Sequence, residues 1–270
     1  MSTHLMSRCT LTDDELQVVA LRAGVGDFPT VLAIGPRHGR TDEQDAAFDR
    51  ATRALMARRL VTDGLVAPDL TSLVRALHRP DRELAVRVVA PVGITRISVI
   101  RQGSIGVLAH RVNNELVLRT VGNGGGLREA THALLAELPR MQPASVDPVG
   151  APLETMTDCI DGDRDGSRLA DRIRAMGTEP RAAMLLASAL SSRLAFAEIV
   201  YNSLASDEGR ISRSPAAVAV FYTKRGRIVA APSDSPSGEL WTTLKTGSDH
   251  TITQAIGQLI ELSPERWEDA

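Results

Sequence analysis

The sequence predicts an α+β fold in which a central, mostly antiparallel β-sheet is flanked by helices. Two meanders of short apolar strands carry this prediction, because short separators between successive strands require hairpins and therefore antiparallel pairing. Amphipathic helical segments stand before and after each meander. The same plan occurs twice, about 110 residues apart, which predicts two quasi-repeated α/β halves.

The two copies agree in the order of their segments more than in residue identity. Residues 76–89 and 189–200 each carry a helical end that leads into a strand. Residues 133–139 and 258–264 are similar apolar helices that close each copy. We therefore predict a single domain over residues 1–270 that is built from two related units.

The first half, residues 1–140, begins with a strand over 3–10 and a helix that starts at Thr12 or Asp13. Glu15 stands near the position that a capping box uses. The later elements change from helical to strand periodicity and back. They are a strand or loop over 29–34, a helix over 41–59 capped by Thr41, a helix over 69–78, strands over 83–90, 94–101, 104–111 and 115–121, and a helix over 127–138.

Residues 141–167 are rich in proline, glycine and aspartate and predict a flexible linker to the second half, residues 168–270. The second half repeats the order of helices, meander and closing helix. Its elements are helices over 167–176 and 179–193, strands over 194–203, 216–223, 227–231 and 239–245, a loop over 232–238, and a helix over 249–262.

The composition argues against several classes of partner and location. A formal net charge of -2 favours neither nucleic acid nor an acidic membrane surface. The longest apolar stretch, residues 182–190, is too short to span a bilayer, and residues 1–6 lack a signal-peptide pattern. Cys9 and Cys159 form no close motif, which fits a reducing cytosol and leaves a single disulfide open. We expect a cytoplasmic protein without membrane insertion.

A glycine-rich loop at residues 122–126 lies between a predicted strand and a predicted helix, where such loops hold phosphates. A dinucleotide fingerprint needs a third glycine where Leu127 stands and a parallel βαβ unit, and no Walker lysine follows. A flexible strand-to-helix turn is the favoured interpretation. The alternative function is a small-molecule or nucleotide-phosphate-binding enzyme that uses Gly122–Gly126.

Residues 161–166 (DGDRDG) match the start of an EF-hand calcium loop. The match then fails, because Arg172 occupies the twelfth position, where calcium requires a bidentate glutamate. A solvated linker with aspartates near a helix N-terminus is the favoured interpretation. A calcium-responsive adaptor remains the third hypothesis.

No residue pattern predicts an active site. The six histidines have no metal-ligand spacing to one another or to a cysteine, and no Gly-x-Ser-x-Gly elbow is present. Neither cysteine has a local context of a known catalytic type. We therefore predict a binding protein, not an enzyme, without a cofactor or a bound metal.

Five of the eight aromatic residues lie in the second meander, where they are candidates for its core or for an interface. In the strand over 194–203, side chains alternate between two different faces. Ala195, Ala197 and Ile199 form a compact face that suits a closely packed helix. The other face, which includes Phe196 and Glu198, mixes apolar bulk with charge and is a candidate partner surface.

Four segments along the chain resemble the EspG family, the cytosolic chaperones of type VII (ESX) secretion. They are residues 10–16 (TLTDDEL), 101–109 (RQGSIGVLA), 226–233 (GRIVAAPS) and 238–244 (GELWTTL). The resemblance implies a quasi-two-fold body with a central antiparallel sheet. It also implies a chaperone that binds the helical tip of the PPE subunit in PE–PPE heterodimers, keeps them soluble and targets them to one secretion system.

The family's contact surface uses the sheet and neighbouring helices, which leads to a set of candidate partner-binding residues. They are Phe196, Glu198, Val200, Tyr201, Asn202 and Ser203, with Asp45 and Asp49 as rim charges. Family members often carry a longer loop between the first two meander strands, where this chain has only Pro91, Val92 and Gly93. The sequence leaves open a weak homodimer of the free protein.

Overall fold

The structure, a computed structural model, describes residues 8–35, 37–122, 125–161, 165–205, 210–235 and 238–269. The helices of the described residues are α1 (Asp13–Ala23), α2 (Thr41–Ala57), α3 (Pro68–His78), α4 (Leu127–Glu137), α5 (Leu153–Asp161), α6 (Gly166–Ala175), α7 (Pro180–Ser191) and α8 (Asp249–Glu261), with a 3-10 helix, η1 (Thr30–Leu32). None of these helices is long and apolar enough to cross a membrane.

The strands of the first meander and the segments before it are β1 (Cys9–Thr12), β2 (Val61–Thr62), β3 (Leu65–Val66), β4 (Arg82–Ala90), β5 (Gly93–Gln102), β6 (Ile105–Val112) and β7 (Glu115–Thr120). The later strands are β8 (Val149–Pro152), β9 (Arg193–Ala205), β10 (Arg210–Arg213), β11 (Val218–Thr223), β12 (Gly226–Asp234) and β13 (Leu240–Thr246). The four predicted strands of the first meander agree with β4 to β7 to within one residue at each end.

One 11-stranded sheet forms the centre of the molecule, in the order β1-β7-β6-β5-β4-β9-β11-β12-β13-β8, with β10 paired to β9. Every named strand pair in it is antiparallel, so the predicted α+β fold class is confirmed. The two meanders join through β4 and β9, whose register pairs run from Arg82 with Ser203 to Val89 with Phe196. This central seam makes one continuous sheet of both parts of the chain.

The sheet has matching strand order on both sides of the seam. On one side lie β5, β6, β7 and β1, and on the other lie β11, β12, β13 and β8. The predicted flexible linker over 141–167 is wrong for residues 149–161, because β8 pairs with β13 and α5 buries Met156 and Cys159. The division into quasi-repeated halves over 1–140 and 168–270 stays a prediction.

Local sequence signals explain the start of the fold. The Thr12 hydroxyl accepts a hydrogen bond from the Glu15 amide at 3.2 Å, and the Glu15 carboxylate accepts one from the Thr12 amide at 2.8 Å. This is the predicted capping box, and Gly24 ends α1 with a left-handed φ of 68°. Thr41 does not cap α2, because Arg40 holds the cap position without a side-chain bond.

Some predicted boundaries shift. Residues 29–34, predicted as a strand or a loop, contain η1. β12 extends through Pro232 to Asp234, where a loop is predicted. The strand predicted over 3–10 is found as β1 from Cys9, and residues 1–7 lie outside the described part of the chain. β10 had no predicted counterpart.

The helices cover the two faces of the sheet differently. On one face, α4 and α8 pack over buried side chains of β4, β5, β9, β11 and β12. On the other face, α1, α2 and α3 cover one end of the sheet and α5, α6 and α7 cover the other. Within the described residues, neither of these two clusters includes a fully buried residue of β4 or β9. The centre of this face therefore lies open between two helical groups.

Candidate partner-binding groove

A groove crosses the open sheet face between η1 on one side and α5 on the other, with β4 and β9 as its floor. Its wide part has a volume of about 1190 Å³, and its narrow part has a volume of about 290 Å³. We call the two parts together the central groove. The wide part exceeds the roughly 300–1,000 Å³ of small-molecule pockets, which indicates space for a segment of another protein.

The wide part has an apolar floor and an apolar wall. The floor includes Val89, Phe196 and Ala219, which lie on three adjacent strands. Val89 stands opposite Phe196, and Ala219 stands opposite Glu198, two residues further along β9. The wall is formed by Met156 and Ile160 of α5. Phe196 and Ile160 are half-buried, so their apolar surface is still accessible. This part can bury an apolar side chain that another molecule inserts.

The narrow part is polar, because a row of charges crosses the sheet there. Arg87 stands opposite Glu198 on the neighbouring strand, and its guanidinium donates to that carboxylate at 3.2 Å. Arg213 lies 3.9 Å from the other oxygen of Glu198. Arg96 stands opposite Arg87 on the other side. The two parts meet here, since Arg87, Glu198 and Arg213 line both.

The wall formed by η1 is fastened to the sheet by arginines. Arg96 donates to the carbonyl of Val31 at 3.1 Å, and Arg111 donates to the carbonyls of Leu32 and Ala33. Arg111 also binds the buried carboxylate of Asp13. These contacts fix η1 at the edge of the groove although it forms only one turn.

Below the narrow part, the fold buries a carboxyl group. Glu83 is 5% exposed and accepts hydrogen bonds from the Ser98 hydroxyl at 2.7 Å and the Asn202 amide at 2.8 Å. Burial raises the pKa of the Glu83 carboxyl above its ordinary value, and the two hydrogen bonds oppose that shift. The hydrogen bond from Asn202 to the Glu83 carboxyl holds the Asn202 side chain in place beside the groove.

Four of the six predicted residues on β9 share the groove face. Phe196 lines the wide part, Glu198 lines both parts, and Val200 and Asn202 line the narrow part. They are alternate residues of one strand, so they point to the same side. The structure therefore brings them together, as the alternation predicted.

Tyr201 and Ser203 require a correction, because they point to the opposite face. Tyr201 is 0% exposed, its hydroxyl donates to the carbonyl of Glu265 at 2.9 Å, and its ring lies 6.2 Å from that of Trp267. Ser203 is also buried. Both side chains belong to the covered side of the sheet and are withdrawn from the candidate surface.

The predicted rim charges lie apart from the groove. Asp45 and Asp49 are exposed on α2, which packs on α1, and neither lines the wide or the narrow part.

The sequence did not predict all of the groove residues. It missed Arg87, Arg96 and Arg213 and the wall from α5. A charged residue within an apolar strand, as in residues 83–90, is the signal that indicates Arg87. The wall from α5 has no such signal, because the proline, glycine and aspartate content of residues 141–167 predicts a linker there.

The described part of the glycine-rich loop is occupied by the end of the chain. The Trp267 indole donates to the Gly125 carbonyl at 2.8 Å, and the Glu268 carboxylate accepts from the Leu127 amide at 3.0 Å. A negative charge thus already stands at the α4 N-terminus, where a phosphate would bind. Asn123 and Gly124 lie outside the described residues.

The aspartates of the calcium-like pattern are split between two helices. Asp161 is the last residue of α5, and Asp165 caps α6 by accepting from the amides of Ser167 and Arg168. Residues 162–164 lie outside the described residues. Across the ranges that the structure describes, no group of three or more His, Cys, Asp or Glu could hold a metal.

Comparisons with known proteins give one consistent result. The sequence model described as "EspG family" matches residues 12–258. The chain is 28% identical to the ESX-1 secretion-associated protein EspG1 of Mycobacterium tuberculosis, over 94% of this chain and 87% of that protein. It is 29% identical to the ESX-3 secretion-associated protein EspG3 of Mycolicibacterium smegmatis, over 94% and 86% of the two chains.

A solved structure with the same fold is that of the Mycobacterium tuberculosis type VII secretion system chaperone EspG5, in complex with a PE25–PPE41 dimer. It superposes with a TM-score of 0.81 and covers 98% of this chain and 99% of that chain. Sequence identity is 15%, so this similarity concerns the fold.

Proposed function

Because this chain belongs to the EspG family, we propose that it is a chaperone that binds the PPE subunit of a PE–PPE heterodimer, keeps the pair soluble and targets it to a type VII secretion system. The family and the fold agree with the sequence predictions. We propose that the binding site is the central groove and that the helical tip of the PPE subunit enters it.

The observation that carries this proposal is the open centre of the sheet between two helical groups. An apolar helical tip exposed to water is an aggregation liability, and covering it removes that surface from solvent. Burial on the floor of Val89, Phe196 and Ala219 contributes roughly 25 cal/mol for each Å² of apolar area, before the costs of association. Shape and burial supply the affinity, and no chemical step is required.

We propose that the hairpin between β4 and β5 contributes differently from the longer loop that the resemblance implies for other family members. Here Pro91 and Val92 connect the strands directly, and Pro91 lines the groove while Val92 is 97% exposed. We propose that this short apolar tip meets the partner only at the mouth of the groove.

We further propose that the protein works without catalysis, in the cytoplasm. Cys9 and Cys159 are free and buried, and burial raises the pKa of both thiols, which disfavours a thiolate nucleophile. Free cysteines also suit a reducing compartment. These observations support the binding role and give no support to the enzyme alternative.

Co-expression with the PE–PPE pairs encoded near its gene tests the function. We expect one pair to co-elute with the chain in size-exclusion chromatography and to remain soluble only in its presence. Failure of every such pair to form a complex or to gain solubility would contradict the assignment. A PE-only or PPE-only expression provides the matched control for aggregation.

A further inference from the structure

We propose that the narrow part of the central groove binds a carboxylate, so that the partner's helical tip carries an Asp or Glu close to its apolar end. This inference rests on the proposed function and names what the groove selects. The preferred occupant is a helical end with an apolar tip and an acidic flank.

The first argument is the charge balance of the groove floor. Among the residues that the structure describes, Arg87, Arg96 and Arg213 line the narrow part with one carboxylate, Glu198. Glu198 is shared, at 3.2 Å from Arg87 and 3.9 Å from Arg213. Arg96 donates to a backbone carbonyl and, among the described residues, pairs with no carboxylate. The floor therefore holds more positive than negative charge.

The second argument is the register of the sheet. Arg87 stands directly opposite Arg96, and Arg96 directly opposite Arg111. Like charges at directly opposed positions destabilise a sheet. Asp13 pairs with Arg111 and also with Arg37, whereas no described carboxylate pairs with Arg96. An incoming carboxylate would relieve this repulsion, and the planar guanidinium groups can bind it with two parallel hydrogen bonds.

The third argument is continuity between the two parts of the groove. Arg87 and Arg213 line both parts, so the charges begin where the apolar floor ends. A helix rises about 5.4 Å per turn. One helix can therefore place an apolar residue in the wide part and an acidic residue, one turn away, in the narrow part. A lysine or arginine in that place would meet like charge, which gives selection against basic partners.

Two arms test the inference, and the first uses the PE–PPE pair that co-purifies with the wild-type chain. We expect Arg87→Gln and Arg213→Glu to weaken binding at least tenfold, and added salt to weaken wild-type binding more than that of either variant. Both side chains are largely exposed, at 46% and 65%, so the variants should fold. Arg140→Glu, at an exposed position after α4, is the matched control and should bind normally. Unchanged affinity of both groove variants would overturn the inference.

The second arm does not depend on the natural pair. Three helical-hairpin peptides with one apolar tip and an acidic, amide or basic flank are titrated by fluorescence anisotropy against wild type and Arg213→Glu. We expect the acidic peptide to bind wild type at least tenfold more tightly than the amide peptide, and this preference to disappear in the variant. Equal affinities, or binding by none of the three, would overturn the inference. An acidic preference without any PE–PPE complex would instead contradict the proposed function alone.

Discussion

Glu198 shows how one side chain can organise a binding surface without chemistry. Its carboxylate lies in the middle of the groove floor, holds Arg87 by a hydrogen bond and lies near Arg213. The pair with Arg87 is substantially exposed, so its own contribution to stability is small, about 0–1 kcal/mol. The main role of Glu198 is therefore to position the arginines that face a partner.

Glu198→Arg should weaken the PE–PPE complex at least tenfold without unfolding the protein. The substitution removes the carboxylate that orients Arg87 and Arg213 and crowds them with a third guanidinium. We expect the loss of their geometry to outweigh the added positive charge. Binding is measured by calorimetry and folding by thermal melting. Glu261→Arg, at the exposed end of α8 on the opposite face, is the control. Unchanged affinity would remove Glu198 from the binding surface.

Glu83 predicts a pH dependence of folding stability. Because burial raises its folded pKa above the ordinary value of 4.5, its ionisation disfavours the folded state. Its contribution is therefore most favourable below pH 4.5 and is lost as pH rises through the folded pKa. The amide of Glu83→Gln can still hydrogen-bond Ser98 and Asn202, but it cannot ionise. The free energy of unfolding of this variant should therefore not fall with rising pH on account of residue 83.

The measurement is the free energy of unfolding in urea at several values from pH 5 to pH 8. The difference between Glu83→Gln and wild type should grow in favour of the variant as pH rises. Glu115→Gln, at an exposed position, is the control and should follow wild type. Parallel curves for Glu83→Gln and wild type would contradict the assignment of the pH dependence to Glu83.

At the scale of elements, the C-terminal segment after α8 stabilises the covered face of the sheet. Trp267 is 1% exposed and packs beside Tyr201, while its carbonyl accepts from Arg101. The buried guanidinium of Arg82 donates to the carbonyls of Arg266 and Asp269, both at 2.7 Å. This segment therefore links the beginning of β4 to the end of the chain.

Trp267→Ala should lower the free energy of unfolding by about 3–5 kcal/mol, as expected for removing a large buried aromatic side chain. The loss is measured by urea denaturation. Arg266→Ala is the matched control, because its side chain is exposed and its backbone carbonyl still accepts from Arg82. It should change stability by less than about 0.5 kcal/mol. A small effect of Trp267→Ala would mean that the segment is dispensable.

At the scale of the whole molecule, the seam between β4 and β9 joins both parts of the chain and forms the floor of the groove. The walls come from different parts, since η1 precedes the first meander and α5 precedes the second. A partner in the groove would therefore contact both parts at once. This arrangement makes the sheet one continuous platform and leaves selection to the side chains on it.

Hydrogen exchange of the complex should locate the partner on this face. We expect amide exchange to slow in η1, in α5 and in residues 214–217, which also line the wide part of the groove. We expect little change in α4 and α8 on the opposite face. The matched control is the same mixture with the Glu198→Arg variant, in which slowing should be reduced. Protection confined to α4 and α8 would place the partner on the other side of the sheet.

The sequence alone predicted the antiparallel meanders and the cap of α1, because strand alternation, short turns and capping residues act over a few neighbours. It predicted the family through four segments that resemble it. Its alternation also showed that the two faces of β9 differ. Alternation also places Tyr201 and Ser203 on the face of Ile199, so naming them with Phe196 and Glu198 did not follow from the pattern. The sequence did not show that this face is covered at Tyr201 and Ser203, or that α5 forms a wall. Only the tertiary structure decided these points, since a strand face is covered or open according to segments distant in sequence, such as Trp267 against Tyr201.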